Sequence, residues 1–247
     1  MFNFTRKFFL MAEKKPAALV FIFITILIDV IGLGIIIPII PTLIQEITGE
    51  GISQASVYGG WLLFAYAGMQ FLFAPIIGGL SDQFGRRPVI LASLLGFGLD
   101  YVVAALAPSL SWLFIARIIA GITGASFTSA SAYIADISTP DKRAQNFGMI
   151  GAAFGLGFIV GPVLGGLLGS FGPRVPFWTA AGFSLANALY GYFVLPESLA
   201  PEKRRKFDIK RANPLGSFLR LKKFPAIFSL AVSMFFLYLA GQVNPSI

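Results

Sequence analysis

Cysteine and histidine are both absent from this chain of 247 residues. Without cysteine there is no disulfide and no thiolate to act as nucleophile or ligand. Without histidine the chain lacks the side chain that most often shuttles protons or binds metal near neutral pH. Charge is scarce as well: 12% of residues are charged, against about 25% in an ordinary soluble domain. What the chain has in quantity is apolar. Hydrophobic residues make up 56% of it, and the mean hydropathy is +0.80. Six or seven apolar runs are long enough for a bilayer, which takes roughly 20 helical residues per crossing. These features predict an all-α polytopic membrane protein with helices near 17–44, 57–80, 88–107, 110–133, 146–169, 175–195 and 225–243. The first run is too long for the core of a cleaved leader and more spans follow it, so it reads as a span.

The net charge of +8 could suggest nucleic acid, but its distribution does not. Of the 19 Lys and Arg, 17 fall in the amino-terminal segment and in alternate loops. They are Arg6, Lys7, Lys14 and Lys15; Arg86 and Arg87; Lys142 and Arg143; and nine between Lys203 and Lys223. The opposite loops carry only Arg174. Lys and Arg mark the cytoplasmic side, so the amino terminus is expected there. The basic clusters read as topology signals and contacts to anionic lipid, with the bilayer and not nucleic acid as partner. The expected organisation is a cytoplasmic segment 1–16, a bundle 17–195, a basic cytoplasmic loop 196–224 and a further helix 225–247.

Three ionisable residues interrupt the apolar runs: Asp29, Asp100 and Arg117. Charges inside a membrane are costly and face a bundle interior or a water-filled cavity. At about 1.5 Å per helical residue, Asp29 and Asp100 lie roughly 18 Å in from the cytoplasmic side and Arg117 roughly 10 Å from the outer side. All three are therefore expected within reach of one cavity. An acid buried among apolar groups can take up and release a proton, so proton and substrate handling is the functional reading. The competing reading is a static Asp–Arg pair that locks helices together. Gln70 is a further polar residue in the second run. It suits a bond to a ligand or to another helix equally well.

Glycine and proline are concentrated in two runs. The first holds Gly32, Gly34, Pro38 and Pro41, which predicts close helix approach and a kinked outer end. The fifth holds Gly151, Gly155, Gly157, Gly161, Pro162, Gly165 and Gly166, a smooth face suited to packing and bending. GLGFIVG in that run imitates a dinucleotide fingerprint but lacks the strand that should precede it. No Walker sequence is present. Enzyme chemistry finds no support.

Between the second and third runs stands GGLSDQFGRRPVI, Gly78 to Ile90. With its neighbours, this turn resembles the major facilitator superfamily. Gly78, Asp82, Gly85, Arg86 and Arg87 fit that family's loop signature, with Gln83 where a basic residue is common. Arg117, Gly121 and Gly124 resemble its fourth-helix signature. Gly157, Gly161, Pro162, Gly165 and Gly166 resemble the fifth-helix antiporter motif, and Pro196-Glu197-Ser198 fits after the sixth helix. Within the superfamily, the chain is most similar to the tetracycline/H+ antiporters. LDY at 99–101, RIIAGITGASFTSASAYIADI, Asn213-Pro214-Leu215 and Gly241-Gln242-Val243 all look like them.

The resemblance implies a six-helix amino-terminal bundle of the major facilitator fold, built as 3+3 inverted repeats, plus a seventh helix. It implies proton-coupled drug efflux in the cell's inner (plasma) membrane by alternating access. Asp29 and Asp100 become essential intramembrane acids and Gln70 a position on the drug path. Asp82 and the Arg86–Arg87 pair become a cytoplasmic gate that closes against Asp136 and Glu197. No cofactor is implied, although the drug is expected as a Mg2+ chelate. A complete transporter of this kind has twelve helices. The chain is therefore expected to be a fragment, a truncated product or a half that needs a second chain. Another multidrug or metabolite carrier, or a non-transporting membrane protein, remain the alternatives.

Overall fold

The computed structural model describes residues 2–124, 126–209, 212–214, 216, 222 and 224–243, with the side chains of 2–16, 126 and 238–243 outside that description. Among these residues every regular element is helical. Helix α1 spans Phe2–Ile36, α2 Ile40–Thr48, α3 Ile52–Phe84 and α4 Arg86–Leu106. Helices α5, Leu110–Gly124, and α6, Ser126–Ile137, lie on either side of residue 125. Helix α7 spans Arg143–Gly169, α8 Val175–Val194 and α9 Pro225–Val243.

Five stretches are long and apolar enough to cross a membrane: Ala17–Ile36, Ile52–Phe84, Arg86–Leu106, Leu110–Ile137 and Arg143–Gly169. The sixth expected span, α8, has 20 residues but is not among them. It carries Thr179, Ser184 and Asn187, and the last two turn inward. Ser184 donates to the Leu94 carbonyl, and Asn187 to the Thr25 hydroxyl at 3.0 Å. In α9 the apolar stretch is Pro225–Leu237.

The first expected helix is divided. Proline disfavours helical geometry in the residue before it and offers no amide hydrogen. Pro38 accordingly ends α1 at Ile36, and α2 begins at Ile40 with Pro41 in its first turn, where the missing amide hydrogen costs nothing. At its other end α1 continues back through the expected cytoplasmic segment to Phe2. Pro75 and Pro162, by contrast, are carried inside α3 and α7 without ending them.

The chain divides into two compact units, Met1–Phe207 and Asp208–Ile247. The boundary falls inside the expected basic loop because the first part of that loop folds onto the bundle. The Arg205 amide donates to the Asp82 carbonyl at 3.0 Å, and the Phe207 amide to the Gln83 side chain at 3.0 Å.

Within the first unit, α1 packs on α7, α4 on α8 and α3 on α5. Lipid tails are as apolar as leucine, so helices in a bilayer associate through close packing rather than through apolar burial. The α1–α7 seam follows this rule. An ideal Cβ on Gly161 would lie 2.7 Å from Gly34 Cα, and one on Gly165 would lie 2.6 Å from the Ile35 carbonyl oxygen. One core cluster gathers around Leu43, Leu62, Phe97 and Phe177, and another around Phe21, Ile90, Leu94 and Tyr133. The outside stays apolar, with Phe64, Ile159, Leu167 and Phe193 well exposed, as suits a surface solvated by hydrocarbon.

Candidate functional site

A cavity of about 490 Å³ opens into the first unit between α1, α3, α4, α5, α6 and α7. Asp29 lines it, and among the described residues its carboxylate has neither an ion pair nor a hydrogen bond. Thr25 stands one turn before Asp29 on the same face, and its hydroxyl is held by Asn187. Gln70 and Tyr66, also one turn apart, supply polar groups from α3. Gln70 donates through Nε2 to the Gly124 carbonyl at 3.0 Å, so its amide ties α3 to α5 while facing the cavity. Phe71, Phe97, Phe127 and Phe154 give the lining aromatic faces. The described lining contains one carboxylate and no basic side chain.

Asp100 and Arg117 do not share this cavity. They form a buried pair, Arg117 Nη2 to Asp100 Oδ2 at 2.7 Å, with Asp100 0% and Arg117 5% exposed. The second oxygen of Asp100 is buried without a partner. The three interior charges thus divide: one acid opens to the cavity, while the other acid is sealed against the base. The paired arrangement is found for Asp100 and Arg117, whereas Asp29 stands apart in the cavity lining. Gly121 makes the packing around this pair possible, because a Cβ there would lie 2.5 Å from the Tyr66 carbonyl oxygen and 2.6 Å from Met69 Cβ.

The other charged constellation gathers where α3, α4, α6 and the end of α8 meet. Arg86 is its centre. Its guanidinium pairs with Asp82 at 2.6 Å and with Asp136 at 3.2 Å, and it donates to the Ser81 hydroxyl at 3.2 Å. Its backbone amide donates to Glu197 Oε1 at 2.9 Å. The same carboxylate oxygen accepts the amides of Ser198 and Leu199, each at 3.0 Å. Gly85 takes φ +106°, and the Glu197 carboxylate occupies the place where a Cβ would stand. Only glycine suits this position on both counts. Gly78 comes close to Thr128, where an added Cβ would be in ordinary contact with the methyl.

Arg87 departs from expectation. It does not reach Asp136 or Glu197; it donates to the Tyr192 carbonyl at 2.7 Å and lies 5.6 Å from that ring's centre. Residues 86 and 87 are adjacent on a helix and point about 100° apart, so one acid cluster does not take both. Arg204 stands instead beside Glu197, at 3.8 Å.

The glycine motif of α7 also divides by face. Gly157, Gly161 and Gly165, spaced by four, pack against α1 beside Pro162. Gly166 faces open space. The motif is a packing seam for three of its glycines. Among the described residues, no three acidic side chains gather as a metal site.

Residues 22–246 match the family model of the Major Facilitator Superfamily. The chain belongs to the Major Facilitator Superfamily. It is thereby a membrane protein of a transporter family and not an enzyme. It is 45% identical over 230 residues to the class C tetracycline resistance protein of Escherichia coli, covering 93% of this chain and 57% of that one. It is 39% identical over 234 residues to the class D protein of Salmonella ordonez, covering 95% and 58%. The chain thus spans about half the length of the curated relatives it matches. Among solved structures, the human organic anion transporter MFSD10 aligns with a TM-score of 0.67 at 28% identity, over 77% of this chain and 50% of that one. A peptide transporter at 17% identity, with a TM-score of 0.62 over 90% and 45%, shares the fold.

Polarity inside apolar runs drew attention to Asp29 and Gln70, and the loop signature to Arg86, but nothing singled out Thr25, Tyr66 or Arg204 for a site. Thr25 and Tyr66 were detectable in principle, since each lies four residues before a flagged polar residue and so on its face. Arg204 was not: a basic loop residue gives no sign in the sequence of where the loop folds.

Proposed function

We propose that this chain is one bundle of a drug:H+ antiporter that exports a tetracycline-like amphipathic drug by alternating access. The observation that carries the reading is Asp29, an acid without a partner among the described residues that opens into an aromatic-lined cavity inside a membrane bundle. An unpaired intramembrane acid marks an ion or substrate path. Protonated, Asp29 leaves the lining neutral; ionised, it favours a cation. A lining with one carboxylate and no base suits a drug carried as its Mg2+ chelate, or another cationic or zwitterionic aromatic, better than an organic anion. No cofactor held by the protein is needed.

The amino terminus and the Arg86 cluster face the cytoplasm in this reading, in the cell's inner membrane, following the positive charges. Asp82, Arg86, Asp136 and Glu197 then hold the cytoplasmic ends together and part when the cavity opens inward. Arg87 anchors α4 to α8 beside them, and Gly78 and Gly85 allow the turn. Gly157, Gly161, Pro162 and Gly165 let α7 move against α1, while Gly166 lies on the open face. Substrate sites of such carriers lie between two repeats or bundles, so the cavity faces a second six-helix bundle on this chain or another.

The test is tetracycline-triggered proton release in everted vesicles. The chain is co-expressed with the portion of the class C relative that it does not match. Release is expected, and Asp29→Asn abolishes it. Well-inserted protein that releases no protons, or releases them equally in Asp29→Asn, overturns the reading. Competition by unrelated amphipathic drugs separates a tetracycline carrier from a broader one.

A further inference from the structure

Helix α8 buries an asparagine that its packing against α1 does not need. The two helices already fit through Phe21, whose ring lies against Gly191 and meets Tyr190 at 5.8 Å between ring centres. Asn187 stands one turn before Gly191 on the same face and is 4% exposed. An amide at the core of a membrane bundle is costly unless it is bonded. This one donates through Nδ2 to Thr25 Oγ1 at 3.0 Å.

Thr25 differs from other threonines on these helices. Thr48, Thr123 and Thr179 each donate to the carbonyl four residues before, at 2.8, 2.9 and 3.0 Å. That is the ordinary resting place of a threonine hydroxyl in a helix. Among the described residues, the one bond of the Thr25 hydroxyl is the bond it accepts from Asn187. Its own hydrogen is left without an acceptor. Thr25 lines the cavity one turn from Asp29, so that hydrogen is on offer beside the carboxylate.

From this arrangement we infer that Thr25 is a substrate-contacting donor and that Asn187 positions it. The inference rests on the functional reading above and names a subsite of the same cavity. The subsite takes an acceptor oxygen, a carbonyl or an enol, in a drug whose positive part faces Asp29. Positions four apart on a helix face lie about 5–6 Å from each other, so acceptor and positive centre stand about that far apart in the drug. The two groups divide the work. A carboxylate attracts any cation, whereas an oriented O–H selects those with an acceptor in the right place. Asn187 keeps the hydroxyl turned to the cavity. Without it, Thr25 turns back to the Phe21 carbonyl, as the other three threonines turn to theirs, and its hydrogen is withdrawn from the drug.

The test reads tetracycline binding by fluorescence, in bilayers that hold the chain together with the portion of the class C relative that it does not match. Thr25→Val keeps the shape of the side chain and removes the donor. Thr25→Ala repeats the removal with a smaller group, and Thr25→Ser keeps the hydroxyl. Thr25→Val and Thr25→Ala are expected to weaken binding about fivefold, and Thr25→Ser to stay within about twofold of the unaltered chain. Asn187→Leu is expected to weaken binding by a similar factor and to add nothing to Thr25→Val. A merely structural asparagine would weaken binding whichever residue stood at position 25. The inference is overturned if losing the hydroxyl leaves binding unchanged or if Thr25→Ser binds as weakly as Thr25→Val. It is overturned equally if Asn187→Leu has no effect, if its effect multiplies that of Thr25→Val, or if the unaltered assembly does not bind tetracycline. Proton release is a separate readout. Binding that depends on Thr25 without drug-triggered release rejects the exporter and keeps the subsite; release with binding indifferent to Thr25 keeps the exporter and rejects the subsite.

Discussion

The Arg86 cluster and the interior acids are built by opposite rules. Arg86 satisfies four acceptors, and one oxygen of Glu197 takes three amides. In the interior, Asp29 has no partner among the described residues, and Asp100 meets Arg117 through one oxygen while the other is left bare among them. A fully wired cluster fixes a conformation, because every group loses a partner when it opens. An under-satisfied one is free to change its protonation state, because little must be broken. In the proposed antiporter, the wired cluster would serve as the latch and the spare valences would serve the proton.

The sharpest way to break this contrast is to strip the interior pair of its base. Arg117→Ala leaves Asp100 buried and uncompensated, which should cost about 3–5 kcal/mol. Thermal unfolding in detergent checks this, and adding Asp100→Asn should restore most of the loss. Equal instability in the double variant would show that Arg117 matters for packing alone. Next comes Gly161→Leu, which drives a side chain into Gly34 at a place where overpacking costs about 1–3 kcal/mol or more. Gly166→Ala, facing open space, should stay within about 0.5 kcal/mol. If the two glycines respond alike, the seam is not what holds α7 to α1.

Asp29→Asn should leave the unfolding midpoint almost unchanged and lower proton-coupled drug flux at least about tenfold, a loss of roughly 1.4 kcal/mol in transition-state terms. A matching fall in stability would mean that Asp29 has a hidden partner. At the Arg86 cluster, too, the expected effect on stability is small. Asp82 is half-exposed, so Asp82→Asn should cost under about 1 kcal/mol. Turnover should still fall several-fold at normal membrane levels, because Arg86 loses its shortest ion pair. Unchanged turnover would reduce the cluster to a topology signal.

Much of this was legible in the chain before folding. Apolar runs separated by charged turns announced helices, and the turn from Gly78 to Ile90 with its companion motifs carried the family resemblance. Pro38 and Pro41 announced trouble in the first helix, though as a kink rather than the full break between Ile36 and Ile40. Asp29, Asp100 and Arg117 stood out because charge in an apolar run is costly wherever it lies. Their division into a cavity acid and a sealed pair was not legible, since depth along a helix says nothing of the direction a side chain faces. The two adjacent arginines illustrate the same limit: they look alike in sequence, yet one enters an acid cluster and the other crosses to α8.

By itself, then, the sequence determined the solvent, the helices and the identity of the costly residues, because hydropathy, proline geometry and buried charge act locally. Tertiary structure alone decided which charges met and which oxygen stayed bare. Those outcomes depend on how helices distant in sequence rotate to pack. In a bilayer that rotation is set by small residues such as Gly34, Gly121 and Gly161 meeting a neighbour's backbone, a fit between surfaces that no single stretch of chain contains.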